Sequence, residues 1–176
     1  LIVLASTSPQ RRAILEQLRI LFRVVAPVYD EVGGDPVEHA AGKARSVDGG
    51  ATPVLGVDTI VVQDAAVLGK PRTEDEARSM LERLSGNTHE VVSGLCLRTQ
   101  EWEELGRELT LVTFRQLTER EIDEYVAAGE WQGRAGGYAI QGFGASLVER
   151  IEGEYLNVVG LPAALLLRVL ALTTER

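Results

Sequence analysis

The sequence predicts an α/β fold with strands and helices mixed along a chain of 176 residues. Three observations carry that prediction. Short apolar runs suited to buried strands recur at 1–5, 53–62 and 91–98. Between them lie stretches of helical periodicity that open on capping residues. No repeat, low-complexity tract or long linker segregates the two kinds of element. Apolar residues at 45% and charged residues at 25% are ordinary for a globular protein. The length places residues 1–176 in a single domain or one closely joined two-lobed unit, large enough to bury a core without staples.

Taken in order, residues 1–5 read as a buried strand. Ser8 is a good N-cap and Pro9 suits the first helical position, with Ile14, Leu15 and Leu18 recurring behind them. A second strand is expected at 22–28. Asp35-Pro36-Val37-Glu38 starts another helix, whose apolar face is Val37, Ala40, Ala41, Ala44 and Val47, and Gly49-Gly50 ends it. Residues 53–62 form a strand with a short return at 66–68. Thr73 and Glu76 read as a capping box, as do Thr118 and Glu121. Strands are expected at 91–98 and 108–114, joined by a polar hairpin. A glycine-rich segment at 133–144 leads to strands near 146–151 and 155–158, and Pro162 precedes a final helix.

Charge and composition limit the function. There are 26 acidic against 18 basic residues, a formal net charge of −8, which excludes a protein that coats nucleic acid. A small anionic ligand held by a local cluster of Lys and Arg remains open. The single cysteine, Cys96, cannot form an internal disulfide and fits a reducing compartment. One cysteine and two histidines leave no thiol-rich zinc site. No targeting segment is visible, and the most apolar stretch, 161–172, is interrupted by Arg168 and shorter than the roughly 20 residues that span a bilayer. A soluble cytoplasmic protein without a membrane partner is expected. The absence of Met at position 1 suggests a start after the initiator.

Asp58 is the most informative residue, because a carboxylate in a buried strand is costly unless paired, hydrogen-bonded or metal-bound. It reads as a metal-binding or water-activating carboxylate beside Gly56, or as a structural aspartate capping a loop. At 6–12, Ser6-Thr7-Ser8-Pro9-Gln10-Arg11-Arg12 sits at a strand-to-helix turn. There, free N–H groups, hydroxyls and an arginine fork suit phosphate, although an ordinary N-cap with solvated arginines has the same residues. Lys43 and Lys70 reach an anion as point charges or are simply solvated. Glu31, after Asp30, supplies a metal oxygen or belongs to a solvated acidic turn. Gln141, in the glycine-dense segment, has donor and acceptor chemistry suited to a nucleobase edge. His39 and His89 read as structural or surface residues, and Cys96 as core.

Together these segments resemble the Maf family of nucleoside triphosphate pyrophosphatases. The matching stretches are 4–12, 42–44, 55–61, 68–71, 84–89, 135–142 and 158–162, in family order over nearly the whole chain. The resemblance implies an ITPase-like (Maf/Ham1-type) α/β fold with two lobes around a central cleft and an extended mixed sheet flanked by helices. It also implies hydrolysis of a triphosphate to monophosphate and pyrophosphate with Mg²⁺ or Mn²⁺, and suggests a homodimer. Asp58 matches the proposed proton acceptor, and Ser8, Arg11, Glu31, Lys43 and Lys70 match the polar site residues. Catalysis is therefore expected from Asp58 and Lys70. Substrate binding is expected from Ser6, Ser8, Gln10, Arg11, Lys43, Thr59 and Gln141, and metal binding from Asp58 and Glu31. Thr59 and Gln141 are similar to the dTTP/UTP subgroup. A 7-methyl-GTP subgroup carries Gln and Glu there, and Gln10 stands where the first subgroup has Arg. A non-catalytic nucleotide-binding regulator of septum formation is the reading from another class.

Overall fold

The computed structural model describes residues 1–174. Its strands form one mixed sheet in the order β2-β1-β3-β5-β6-β7, with β4 paired to β3. The chain divides into two units: Leu1–Thr59, Ser93–Glu108 and the segment from Gly160 onward make the first, and Ile60–Val92 with Leu109–Val159 the second.

In the first unit, β1 (Ile2–Ala5) is buried at every position, which explains its unbroken apolar run. It pairs in parallel with β2 (Phe22–Val25), Ile2 opposite Phe22, and with β3 (Val54–Gln63), Val3 opposite Val54. Parallel neighbours need crossovers, and α1 (Pro9–Gln17) and α2 (Pro36–Arg45) supply them. Ser8 and Pro9 open α1 as expected; Asp35 caps α2 by accepting from the Val37 N–H.

The seat of α2 on the sheet decides the geometry of the site. A Cβ on Gly56 of β3 would lie 2.0 Å from the Ala40 carbonyl oxygen, and one on Gly94 of β5 (Thr88–Arg98) 2.1 Å from that of Pro36. The helix backbone therefore rests directly on two glycines. Ala40, Ala41, Ala44, Val47, Val54 and Cys96 fill the core around that contact. Gly106 of β6 (Glu103–Phe114) gives a similar close approach to Leu165 of the last helix, α6 (Ala163–Thr174).

In the second unit, β4 (Ala66–Leu68) returns antiparallel on β3, Val61 opposite Leu68. The strand β7 (Val148–Glu152) pairs antiparallel with β6, Leu111 opposite Glu152. Helices α3 (Glu74–Leu84) and α4 (Glu119–Ala128) bury Leu81, Leu84, Ile122, Tyr125 and Val126 in one core with Val91, Phe114 and Trp131. Thr118 and Glu121 form the full capping box. Its backbone hydrogen bond, then Arg115, hold the Glu121 carboxyl down at about 2. At α3 the box is half made: Thr73 accepts from Glu76 N–H, but the Glu76 carboxylate takes the Arg72 N–H instead.

Other expectations shift for identifiable reasons. The second strand stops at Val25, before Pro27. The middle strands begin earlier, at Thr88 and Glu103, because alternating burial, with His89 inward and Thr88 and Glu90 outward, accepts polar residues on the open face. The glycine-rich segment folds as two 3-10 turns, Ala135–Gly137 and Gly142–Leu147. The strand expected at 155–158 is the helix α5 (Tyr155–Val159). There buried Asn157 donates to the Val91 carbonyl and Thr110 Oγ1, a tertiary arrangement that overrides local β-propensity. Among the described residues no helix is long and apolar enough to cross a membrane.

Candidate active site

The turn between β1 and α1 builds an arginine site in the first unit. Buried Ser6 accepts from the Ser8 N–H at 3.2 Å and from Arg11 Nη1 at 3.1 Å. Arg11 Nε donates to the Gly160 carbonyl at 2.9 Å, and Nη2 lies 3.5 Å from Thr59 Oγ1. Thr59 shares a 2.8 Å hydrogen bond with Ser93, which is fully buried. Gln10 accepts from Ser8 Oγ at 3.2 Å. Three chain segments, those of Ser6, Thr59 and Gly160, thus hold one guanidinium, the preorganisation that bidentate grip of phosphate requires. Burial lowers the Arg11 pKa, while Asp58 and Glu31 act in the opposite sense, so both carboxylates share its electrostatic neighbourhood.

Beside it lies a buried ion pair. The seat of α2 on Gly56 places Lys43 opposite β3, where Nζ donates to Asp58 Oδ1 at 2.6 Å and lies 3.5 Å from the Val57 carbonyl. Lys43 and Asp58 are 6% exposed each, a burial that would be costly for either charge alone. The same Nζ is 2.5 Å from Glu31 Oε1, whose side chain is half-exposed. Asp58, Glu31, Lys43, Arg11, Ser6, Ser8, Gln10 and Thr59 all fall within the first unit.

Lys70 and Gln141 belong to the second unit, where both are exposed. The Gly136 N–H donates to the Gly69 carbonyl at 3.0 Å, which ties the Lys70 turn to the glycine-rich segment carrying Gln141. Gly136, at φ +72, packs against Val61 where a Cβ would stand 3.0 Å from its nearest methyl. His89 Nε2 and Tyr138 Oη are 2.8 Å apart inside the Phe114 cluster. Burial pushes His89 down to about 4 and raises the Tyr138 phenol. His89 is structural here, as is Cys96, whose thiol burial pushes up to about 12.

Sequence reasoning missed three participants. Ser93 was discoverable as a lone hydroxyl within an apolar strand. The Gly160 carbonyl and Tyr29, whose ring covers Gly42, act through backbone and packing and leave no compositional signal.

A family model described as Maf-like protein matches residues 1–173. The chain belongs to the Maf family. Family members named dTTP/UTP pyrophosphatase resemble it over nearly their full length. One from Pyrococcus furiosus is 42% identical, covering 97% of this chain and 94% of its own. One from Bacillus cereus is 44% identical over 96% and 93%, and one from Clostridioides difficile 41% over 92% and 89%. The mixed seven-stranded sheet flanked by helices agrees with the α/β fold expected for a Maf chain.

Proposed function

We propose that this chain hydrolyses dTTP and UTP to the monophosphate and pyrophosphate. The observation that carries the reading is the buried Lys43–Asp58 pair beside a preorganised Arg11, in a chain similar end to end to relatives bearing that activity in their names. Arg11, with the hydroxyls of Ser6 and Ser8, holds phosphate oxygens, and Lys43 adds a point charge to them. Asp58 orients a water and takes its proton as the water oxygen bonds to phosphorus. The bridging α–β anhydride bond breaks and pyrophosphate leaves. The roles that the family resemblance implies for Lys70 and Gln141, a catalytic charge and a base-edge contact, are part of the same proposal.

A divalent metal fits the acidic side of this set. Asp58 and Glu31 both contact the Lys43 ammonium, so their carboxylates lie near one another and would be the groups to hold a metal. Two carboxylates are what Mg²⁺ takes when substrate phosphates and water complete its shell. Among the described residues no larger His, Cys, Asp or Glu cluster gathers. A Mg²⁺ or Mn²⁺ ion held by Asp58 and Glu31 would supply neutralisation of the phosphoryl oxygens.

The test is product analysis with Mg²⁺ or Mn²⁺ across a panel of triphosphates that includes 7-methyl-GTP. Pyrophosphate from dTTP and UTP is expected. Orthophosphate would overturn the cleavage position, and preferential loss of 7-methyl-GTP would reassign the base. Nucleotide binding without turnover would favour the regulator. A homodimer in a reducing cytoplasm accompanies the proposal, and sedimentation of the purified chain tests the dimer.

A further inference from the structure

We infer that Tyr29 is a positioning residue, clasped onto α2 through Gly42 and His39, which sets Glu31 against Lys43. The inference rests on the role proposed for Glu31 and goes beyond it by naming what holds that carboxylate in place. Gly42 stands inside α2, where glycine is a poor helix former. Its reason is steric. A Cβ at 42 would lie 2.1 Å from Tyr29 Cε2 and 2.4 Å from Cζ, so the phenol ring occupies the space that every other residue would fill. The ring also meets His39, one turn earlier on the same helix, edge to face at 5.8 Å between centroids.

The far side of the loop is seated on the same helix. At Gly34, with φ +97, a Cβ position lies 3.5 Å from His39 Nε2 and 3.6 Å from Glu38 Oε2. Residues 29 and 34 therefore both abut α2, and Glu31 lies between them with Oε1 2.5 Å from Lys43 Nζ. Lys43 is the residue next to Gly42. One helical surface thus receives the aromatic ring, the end of the loop and the carboxylate. Glu31 is half-exposed and its backbone lies in no strand or helix, and its contact with Lys43 ties it to α2.

The variants are chosen so that folding and positioning separate. Tyr29 is 37% exposed and sits on a loop, so an alanine at 42 pushes the ring outward without opening the core. Gly42→Ala should hold or raise the melting temperature, because it improves the helix, yet lower kcat/KM for dTTP about tenfold. Tyr29→Ala should lower kcat/KM by a similar factor, and Tyr29→Phe should keep wild-type kinetics, since the ring and not the hydroxyl makes the fit. The deciding measurement is a double-mutant cycle with Glu31→Gln. In that background Tyr29→Ala and Gly42→Ala should each change kcat/KM less than twofold. A full tenfold loss in the Glu31→Gln background would overturn the clasp while leaving the role of Glu31 standing. Wild-type kinetics for Gly42→Ala would overturn it too. Full activity of Glu31→Gln alone would instead remove Glu31 from the proposed function, and the clasp with it.

Discussion

Asp58 carries two duties in one side chain. It neutralises a buried ammonium, and in the proposed function it also takes the proton of the attacking water. Replacing it with alanine mixes these, because it also takes away the buried one of the two carboxylates that pair with Lys43 and leaves the half-exposed Glu31. Asp58→Asn keeps the volume and still accepts a hydrogen bond, so its effect on rate is the cleaner measure. A loss of at least about 10²-fold in kcat for dTTP, with circular dichroism unchanged, is expected from loss of a general base; an active Asp58→Asn protein would take Asp58 out of the chemistry. The role proposed for Gln141, reading the base edge, also turns on its functional group. It is exposed and precedes a 3-10 turn, so substitution costs the fold little. Gln141→Glu exchanges the amide donor for a second acceptor and should lower turnover of dTTP and UTP relative to 7-methyl-GTP. An unchanged ratio in a competition assay would mean that the base is read elsewhere.

At the scale of elements, α2 and the strands beneath it are the working unit. Gly56→Ala drives a methyl into the Ala40 carbonyl, a contact that no rotamer relieves because the neighbour is backbone. Overpacking of this kind costs about 1–3 kcal/mol, and a shifted α2 takes Lys43 away from Asp58. Both a lower urea midpoint and a lower kcat are expected, and a stable, fully active Gly56→Ala protein would refute the seat. A second element-scale prediction concerns acid. His89 in β5 is held near 4 by burial against an ordinary value of 6.5, so the unfolded chain takes up the proton first. Stability is therefore intact above about pH 6.5 and falls as pH drops toward 4, by on the order of 3 kcal/mol over the whole window. Urea midpoints at pH 7.5 and 4.5 should differ accordingly, and His89→Phe should flatten the difference; the loss attached to Glu121 begins only lower, below about pH 4.5.

These elements also show which information the chain displays openly. Caps at Ser8, Asp35 and Thr118 were readable because capping chemistry is local. The helix at Tyr155–Val159 was not, because Asn157 takes its partners from strands 47 and 66 residues away in sequence. In the site, Asp58 announced itself as a carboxylate in an apolar strand. The Gly160 carbonyl acquires meaning only once folding brings it to Thr59 and Arg11.

For the whole molecule, the net charge of −8 sets the conditions under which the proposed triphosphate substrate would arrive. In the proposed function attraction comes from Arg11 and Lys43 at short range, since the summed field repels a polyanion. The same accounting of single groups points to a practical property of Cys96. It is the chain's only thiol, fully buried in the core around Gly56 and α2, and its pKa is raised to about 12. A thiol reagent can reach it only when that core opens. Its labelling rate is thus a built-in clock for opening of the layer that carries Lys43 and Asp58, readable on the unmodified protein, and slower labelling in the presence of nucleotide would time how firmly the ligand keeps that layer shut.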